Sequence, residues 1–143
     1  MTDEGRARRI LICGDREWTD AMAIRDVLVR LHPDVVIEGE QRGADRLARL
    51  VAEGMGITVE PYPADWKTLG KPAGPIRNRR MLDEGRPDHV CAFHDDLPTS
   101  KGTADMVRIA RRAGVPVTVC SHVVADWVDL LLPTARDEGE DET

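Results

Sequence analysis

The feature that most constrains this chain is an alternation repeated along its length. Short apolar runs rich in Val, Ile and Leu take turns with segments whose apolar residues fall at helical spacing. Residues 9–13, 35–37, 57–60, 88–93 and 115–119 read as strands. After Asp20, a residue type that caps helices, Ile24, Val27, Leu28 and Leu31 lie at i, i+3, i+4 and i+7, all on one helix face. Ala44, Leu47, Ala48 and Val51 repeat that spacing, and Gly54 or Gly56 stops it. Residues 61–73 read as a loop. Pro75 suits a first helical turn, where its missing N–H costs nothing, and that helix runs to about Glu84 before Gly85 and Pro87. Gly102 opens another helix, with Met106, Ala110 and Ala113 on one face and Gly114 past its end. Val124, Trp127, Val128 and Leu131 suggest a last short one.

Strands that are apolar throughout, alternating with helices, pack as a parallel sheet covered on both faces. The expected fold class is therefore α/β: a Rossmann-like three-layer α/β/α sandwich with a mostly parallel sheet of about five strands. A chain of 143 residues can hold such a fold as one domain. It buries roughly 70% of its unfolded surface without a disulfide or metal staple. The domain is expected over 9–132, with a flexible N-terminus at 1–8 and an acidic disordered tail at 133–143. In a sheet of this kind the strand-to-helix loops share one edge, and ligands sit in the crevice outside the carboxyl ends of the strands.

Charge and composition narrow the function classes. The net charge is −6, and residues 137–143 carry five carboxylates and no base. The rest of the chain stands at about −1, too balanced for a nucleic-acid-binding face. No apolar run approaches the ~20 residues of a membrane span, and residues 1–9 lack a signal-peptide core, so a cytoplasmic location is expected. Cys13, Cys91 and Cys120 sit in apolar stretches and read as buried reduced thiols. His32, His89, His94 and His122 share no metal-ligand spacing, so no metal is assigned, and no cofactor either. Trp127 and the apolar 128–132 stretch leave a homodimer open.

The strand-end loops carry the chemistry. Gly14 follows the first strand, where a glycine lets backbone approach a ligand, and Arg16 offers a planar fork to phosphate. A tight turn with a surface arginine would look the same. Gly39 and Gly43 precede a helix start at which Asp45 could hold a ribose hydroxyl or merely complement the helix dipole. Ser100, Lys101, Gly102 and Thr103 place hydroxyls, exposed N–H groups and an ammonium at another helix start, an anion cradle that also serves as a cap. Arg77, Asn78 and Arg80 lie in a basic turn near a third helix start, as candidate phosphate or base contacts. Arg77→Ala should then weaken ligand binding by roughly 1–3 kcal/mol without unfolding the domain. Trp66 could stack on a base or cover the core edge.

Three strings carry a family likeness: Tyr62 to Lys67 with Gly70 and Lys71, Gly74 to Met81, and Gly102 to Val107. Gly14, Arg16 and Trp18, then Gly39, Gly43, Ala44 and Asp45, agree in order. Over residues 9–119 the chain resembles the YspA/YpsA-related branch of the SLOG superfamily. The resemblance implies a Rossmann-like fold similar to the Lonely Guy phosphoribohydrolases and to the Rossmann-like domain of the DNA-processing protein DprA. It also implies a role in sensing or processing nucleotides or NAD-derived ligands. Lonely Guy enzymes use a glutamate in a glycine-rich turn to hydrolyse an N-glycosidic bond, and Met106 stands in its place here. Asp105 is one position away, about 100° around the helix.

Three readings remain at this stage. The crevice binds a nucleotide or an NAD/ADP-ribose-like small molecule, as a sensor or sequestering module. Alternatively it hydrolyses a nucleotide N-glycosidic bond, with Asp45, Asp65 and Asp105 the leading carboxylates, followed by Asp95 and Asp96. The third reading, nucleic-acid binding of the DprA type, is disfavoured by the near-neutral domain.

Overall fold

The computed structural model describes residues 6–123. Five strands, β1 (Arg9–Gly14), β2 (Val35–Glu38), β3 (Thr58–Pro61), β4 (His89–Phe93) and β5 (Val117–Cys120), form one sheet in the order β3-β2-β1-β4-β5. Every pairing is parallel. Parallel neighbours need long crossovers. These are supplied by α1 (Ala21–Leu31), α2 (Ala44–Gly54), α4 (Ala73–Asp83) and α5 (Gly102–Arg112), with a four-residue α3 (Trp66–Leu69) before α4.

Side-chain alternation along the strands sorts the core into two layers. Ile10, Ile12, Cys91 and Phe93 face α1 and α2, packing on Ile24, Val27, Leu28, Ala44 and Ala48. Leu11, Cys13, Val90 and Ala92 face the other way, onto Met81, Leu82, Met106 and Ala110 of α4 and α5. Each buried Leu, Ile or Val contributes roughly 1.5–3 kcal/mol by leaving water. The three layers anticipated from the sequence are thus present. The order reverses at the centre: the chain leaves β1 towards one face and β4 towards the other, so the loops after them part and leave a crevice between.

Local chemistry explains most boundaries. The Asp20 carboxylate accepts from Ala23 N–H at 3.1 Å and starts α1 where expected. Most boundaries fall within one residue of expectation, and three places depart further. The 61–73 loop contains α3, whose four residues are too few to show a periodic pattern and whose cap is Asp65, accepting from Thr68 N–H at 3.2 Å. α4 begins at Ala73, two residues before Pro75. β5 begins at Val117, because Val115 N–H still closes α5 on Ala110 O, and Pro116 has no N–H to give the ladder. Residues 6–8, expected in the flexible N-terminus, are held: Arg6 pairs with Asp88 at 2.5 Å, and Arg8 N–H donates to Asp34 at 2.6 Å. The last helix expected around Trp127 and the acidic tail lie outside the described residues. Among the described residues no helix is long and apolar enough to cross a membrane.

Candidate functional site

The loops that leave β1 and β4 open onto one cavity of about 790 Å³. The first turns of three helices reach its wall: α2 through Asp45, α4 through Gly74 and Pro75, and α5 through Gly102 and Thr103. A helix start directs free N–H groups and the positive end of its dipole outward. Three such ends around one hollow favour an anion there. Arg16, Lys71 and Lys101 line the same space. Neither lysine ammonium has a side-chain partner among the described residues, and Arg16 reaches only Gln41, at 3.1 Å.

Close backbone packing builds the rim. A side-chain carbon at Gly14 would collide with Phe93 O, so only glycine lets β1 run this close to the end of β4. Gly43 has φ +80°, and a side chain there would strike Asp15 O and Arg16. Without one, Ala44 N–H donates to Asp15 O at 3.1 Å and binds the α2 start to the β1 loop. At the far rim the Ser100 hydroxyl accepts from Thr103 N–H at 2.9 Å, which caps α5. The N–H groups of Lys101 and Gly102 have no partner among the described residues.

The floor is a buried polar ladder. Asp45, 5% exposed, accepts from Gly39 N–H at 3.1 Å and Gln41 N–H at 3.4 Å. Burial pushes its carboxyl up to about 6, while the Arg77 guanidinium and those two N–H groups pull it back down. Arg77 donates through Nη1 to Gly39 O and through Nε to Asn78 Oδ1 at 3.0 Å. Asn78 in turn donates to Gly102 O at 3.2 Å and Asp105 Oδ2 at 3.1 Å. One chain of bonds therefore ties α2, α4 and α5 together beneath the cavity.

Of the residues singled out from sequence, Gly14, Arg16, Asp45, Trp66, Arg77, Asn78, Ser100, Lys101, Gly102, Thr103, Asp105 and Met106 line this one cavity. The others lie elsewhere. Gly39 packs under the Arg77 guanidinium and borders a second cavity of about 460 Å³. Gly43 belongs to neither lining. Asp65 is exposed and serves as the α3 cap. Arg80 turns away, pairing with Glu84 at 3.2 Å and lying over the Tyr62 ring. Arg77 is 6% exposed, and among the described residues only its Nη2 lacks a partner, so it braces the floor and its loss carries a cost in stability as well as in binding.

Two of the other carboxylates weighed for catalysis, Asp105 and Asp95, are held by neighbouring groups. Asp105 is held by Asn78 and by Arg108 at 2.6 Å, and Met106, in the place of the Lonely Guy glutamate, is 1% exposed. Asp95 accepts from His122 N–H at 2.7 Å and faces its ring.

Sequence reasoning missed several residues. Gln41, Lys71 and Met81 line the cavity. His94 lines it too; its Nδ1 accepts from Asp96 N–H at 2.9 Å, so a neutral ring carries its proton on Nε2, 3.9 Å from Asp15. Glu38, wholly buried at the end of β2, accepts from Glu40 N–H at 2.6 Å through one oxygen, and the other has no partner among the described residues. Burial and the neighbouring Glu40 raise its carboxyl far above the usual range, so it stays protonated at neutral pH. An acidic residue closing an apolar strand was the available signal.

Comparison with known proteins gives three similarities. A model of the YspA, cpYpsA-related SLOG family matches residues 8–68. The Gene 61 protein of Mycobacterium phage D29 is 41% identical over 120 residues, covering 77% of this chain and 94% of the phage protein. The X-ray structure of DNA processing protein A (DprA) from Streptococcus pneumoniae matches with a TM-score of 0.68 at 16% identity, covering 96% of this chain. The match spans 58% of the DprA chain, and at that identity the likeness is one of fold.

Proposed function

This chain belongs to the YspA, cpYpsA-related SLOG family, and we propose that within it the chain is a binding module for a nucleotide or a nucleotide-derived ligand of the NAD or ADP-ribose kind. One observation carries this reading: three helix starts and the cations of Arg16, Lys71 and Lys101 converge on a single hollow between the ends of β1 and β4. A phosphate group placed at the start of α5 finds the N–H groups of Lys101 and Gly102 and the Lys101 ammonium without a partner among the described residues. The volume of about 790 Å³ suits a ligand with a sugar and a base attached to that phosphate.

Binding is favoured over hydrolysis by where the carboxylates spend their oxygens. A general acid or base must reach the scissile bond. Asp105 gives both oxygens to Asn78 and Arg108, Asp65 caps α3 outside the cavity, and Asp45 is 5% exposed and gives Oδ2 to two backbone N–H groups. The experiment is a thermal-shift series with AMP, ADP-ribose and NAD, followed by chromatography of each mixture for free base. A bound ligand raises the melting temperature by mass action, by the equivalent of about 2.7 kcal/mol at a hundred times Kd. The expected result is a shift without base release. Release of base supports the hydrolase reading, and no shift with any of the three refutes the nucleotide reading.

A further inference from the structure

The proposal concerns Trp66 and rests on reading the crevice as a nucleotide site. Aromatic residues are scarce here: three Trp, one Tyr and one Phe. Trp18, Tyr62 and Phe93 are buried. Trp66 is 45% exposed and lines both the main cavity and the smaller one beside it. Leaving so large an apolar ring in water forfeits stabilisation that burial would have supplied.

Its position is nevertheless determined. The Asp65 carboxylate caps α3, and Gly70 N–H closes the turn on Trp66 O at 2.9 Å. The indole edge rests on the first turn of α4 at Gly74, where an added side-chain carbon would stand 2.9 Å from Cη2. The bare backbone at Gly74 lets the ring lie low over the helix start, leaving much of its surface open to the crevice. The same cavity carries Lys101, Gly102 and Thr103, the group of anion donors. A fixed, exposed aromatic face and an anion cradle in one hollow match a ligand that joins a planar heterocycle to a phosphate.

We propose that Trp66 is the shelf on which the ligand's base stacks, so that the site selects a phosphorylated ligand carrying a base over the bare sugar phosphate. Stacking on an aromatic face depends on the ring system of the base more than on its hydrogen-bonding pattern. Purine and pyrimidine monophosphates are then both accepted, the purine more tightly.

The test is calorimetry at low salt on the full chain, with AMP and ribose 5-phosphate as probes. Trp66→Ala is expected to weaken AMP by about ten- to a hundredfold, while ribose 5-phosphate changes by less than about twofold. Trp66→Phe keeps most of the AMP affinity, since it keeps a ring. Gly74→Ala, which displaces the indole without removing it, falls between wild type and Trp66→Ala. Because Trp66 is half-exposed, its loss empties no core space, and melting curves of each variant verify the fold. Equal loss for both probes, or unchanged AMP affinity in Trp66→Ala, overturns the shelf while leaving the nucleotide reading intact. A wild-type protein that binds neither probe overturns the shelf, and one that also fails to bind ADP-ribose and NAD overturns the nucleotide reading with it.

Discussion

Replacing Arg77 by methionine removes the one cation from the crevice floor and keeps most of its volume. Arg77 bonds Gly39 O and Asn78 Oδ1, and its charge opposes that of the buried Asp45. Removing one partner from a buried charged network costs about 3–5 kcal/mol, because the other is left uncompensated. Part of that loss depends on pH. The Asp45 carboxyl sits at about 6 in the fold, raised from roughly 3.9 in an unfolded chain. Between those values the folded state holds more protons than the unfolded one, so stability falls as pH rises from about 4 to 6, by up to ~1.4 kcal/mol per pH unit. Without Arg77 the carboxyl climbs higher, and the decline continues to higher pH. Urea denaturation followed by circular dichroism at pH 5 and pH 7.5 reads both parts. The variant should lose about 3–5 kcal/mol at pH 7.5, and less at pH 5 by about 1.4 kcal/mol for each unit that Asp45 has climbed. Adding Asp45→Asn should remove that pH dependence. A total loss under about 1 kcal/mol at pH 7.5, or a larger loss at pH 5 than at 7.5, refutes the strut.

Three further outcomes follow from single contacts. Ser100→Ala removes the hydroxyl that caps α5 and should cost about 1 kcal/mol in urea denaturation; no change would deny the cap any role. Gly43→Ala forces a side chain onto a glycine-type backbone at φ +80°, costing about 1–3 kcal/mol before the collision with Asp15 O is counted, read as a lower melting temperature. His122 bonds Asp95 and Asp20 at 3.0 and 2.9 Å and stacks on Trp18, and those carboxylates raise its imidazole above the usual 6.5. Its contribution to stability is then full below about 6.5 and lost as pH rises through the raised value. NMR titration should find that upward displacement, and the difference in melting temperature between wild type and His122→Ala should narrow at high pH.

The layers and the loops that matter were legible because period-2 and period-3.6 patterns are local. The strand order was not, since pairing β1 with β4 depends on contacts between residues far apart in the chain. The roles within the basic turn of α4 also escaped, though a clue was present. Ala73, Arg77 and Met81 are spaced by four, so Arg77 shares the face that buries Met81, while Arg79 and Arg80 point outward. An arginine on an apolar stripe is a strut in the floor before it is a ligand contact. Asp65 misled for a related reason: a carboxylate beside a four-residue helix caps it, and so short a helix leaves no periodicity to reveal the cap.

The central claim is that a phosphate-bearing nucleotide occupies the hollow between the ends of β1 and β4. Amide chemical-shift mapping of the labelled protein titrated with ADP-ribose reads its location directly. The largest displacements should fall at Gly14 to Arg16 and Lys101 to Thr103, with the Trp66 indole N–H moving alongside. Displacements gathered at the opposite edge of the sheet, around Gly56 and Gly114, or none at saturating ligand, would contradict it.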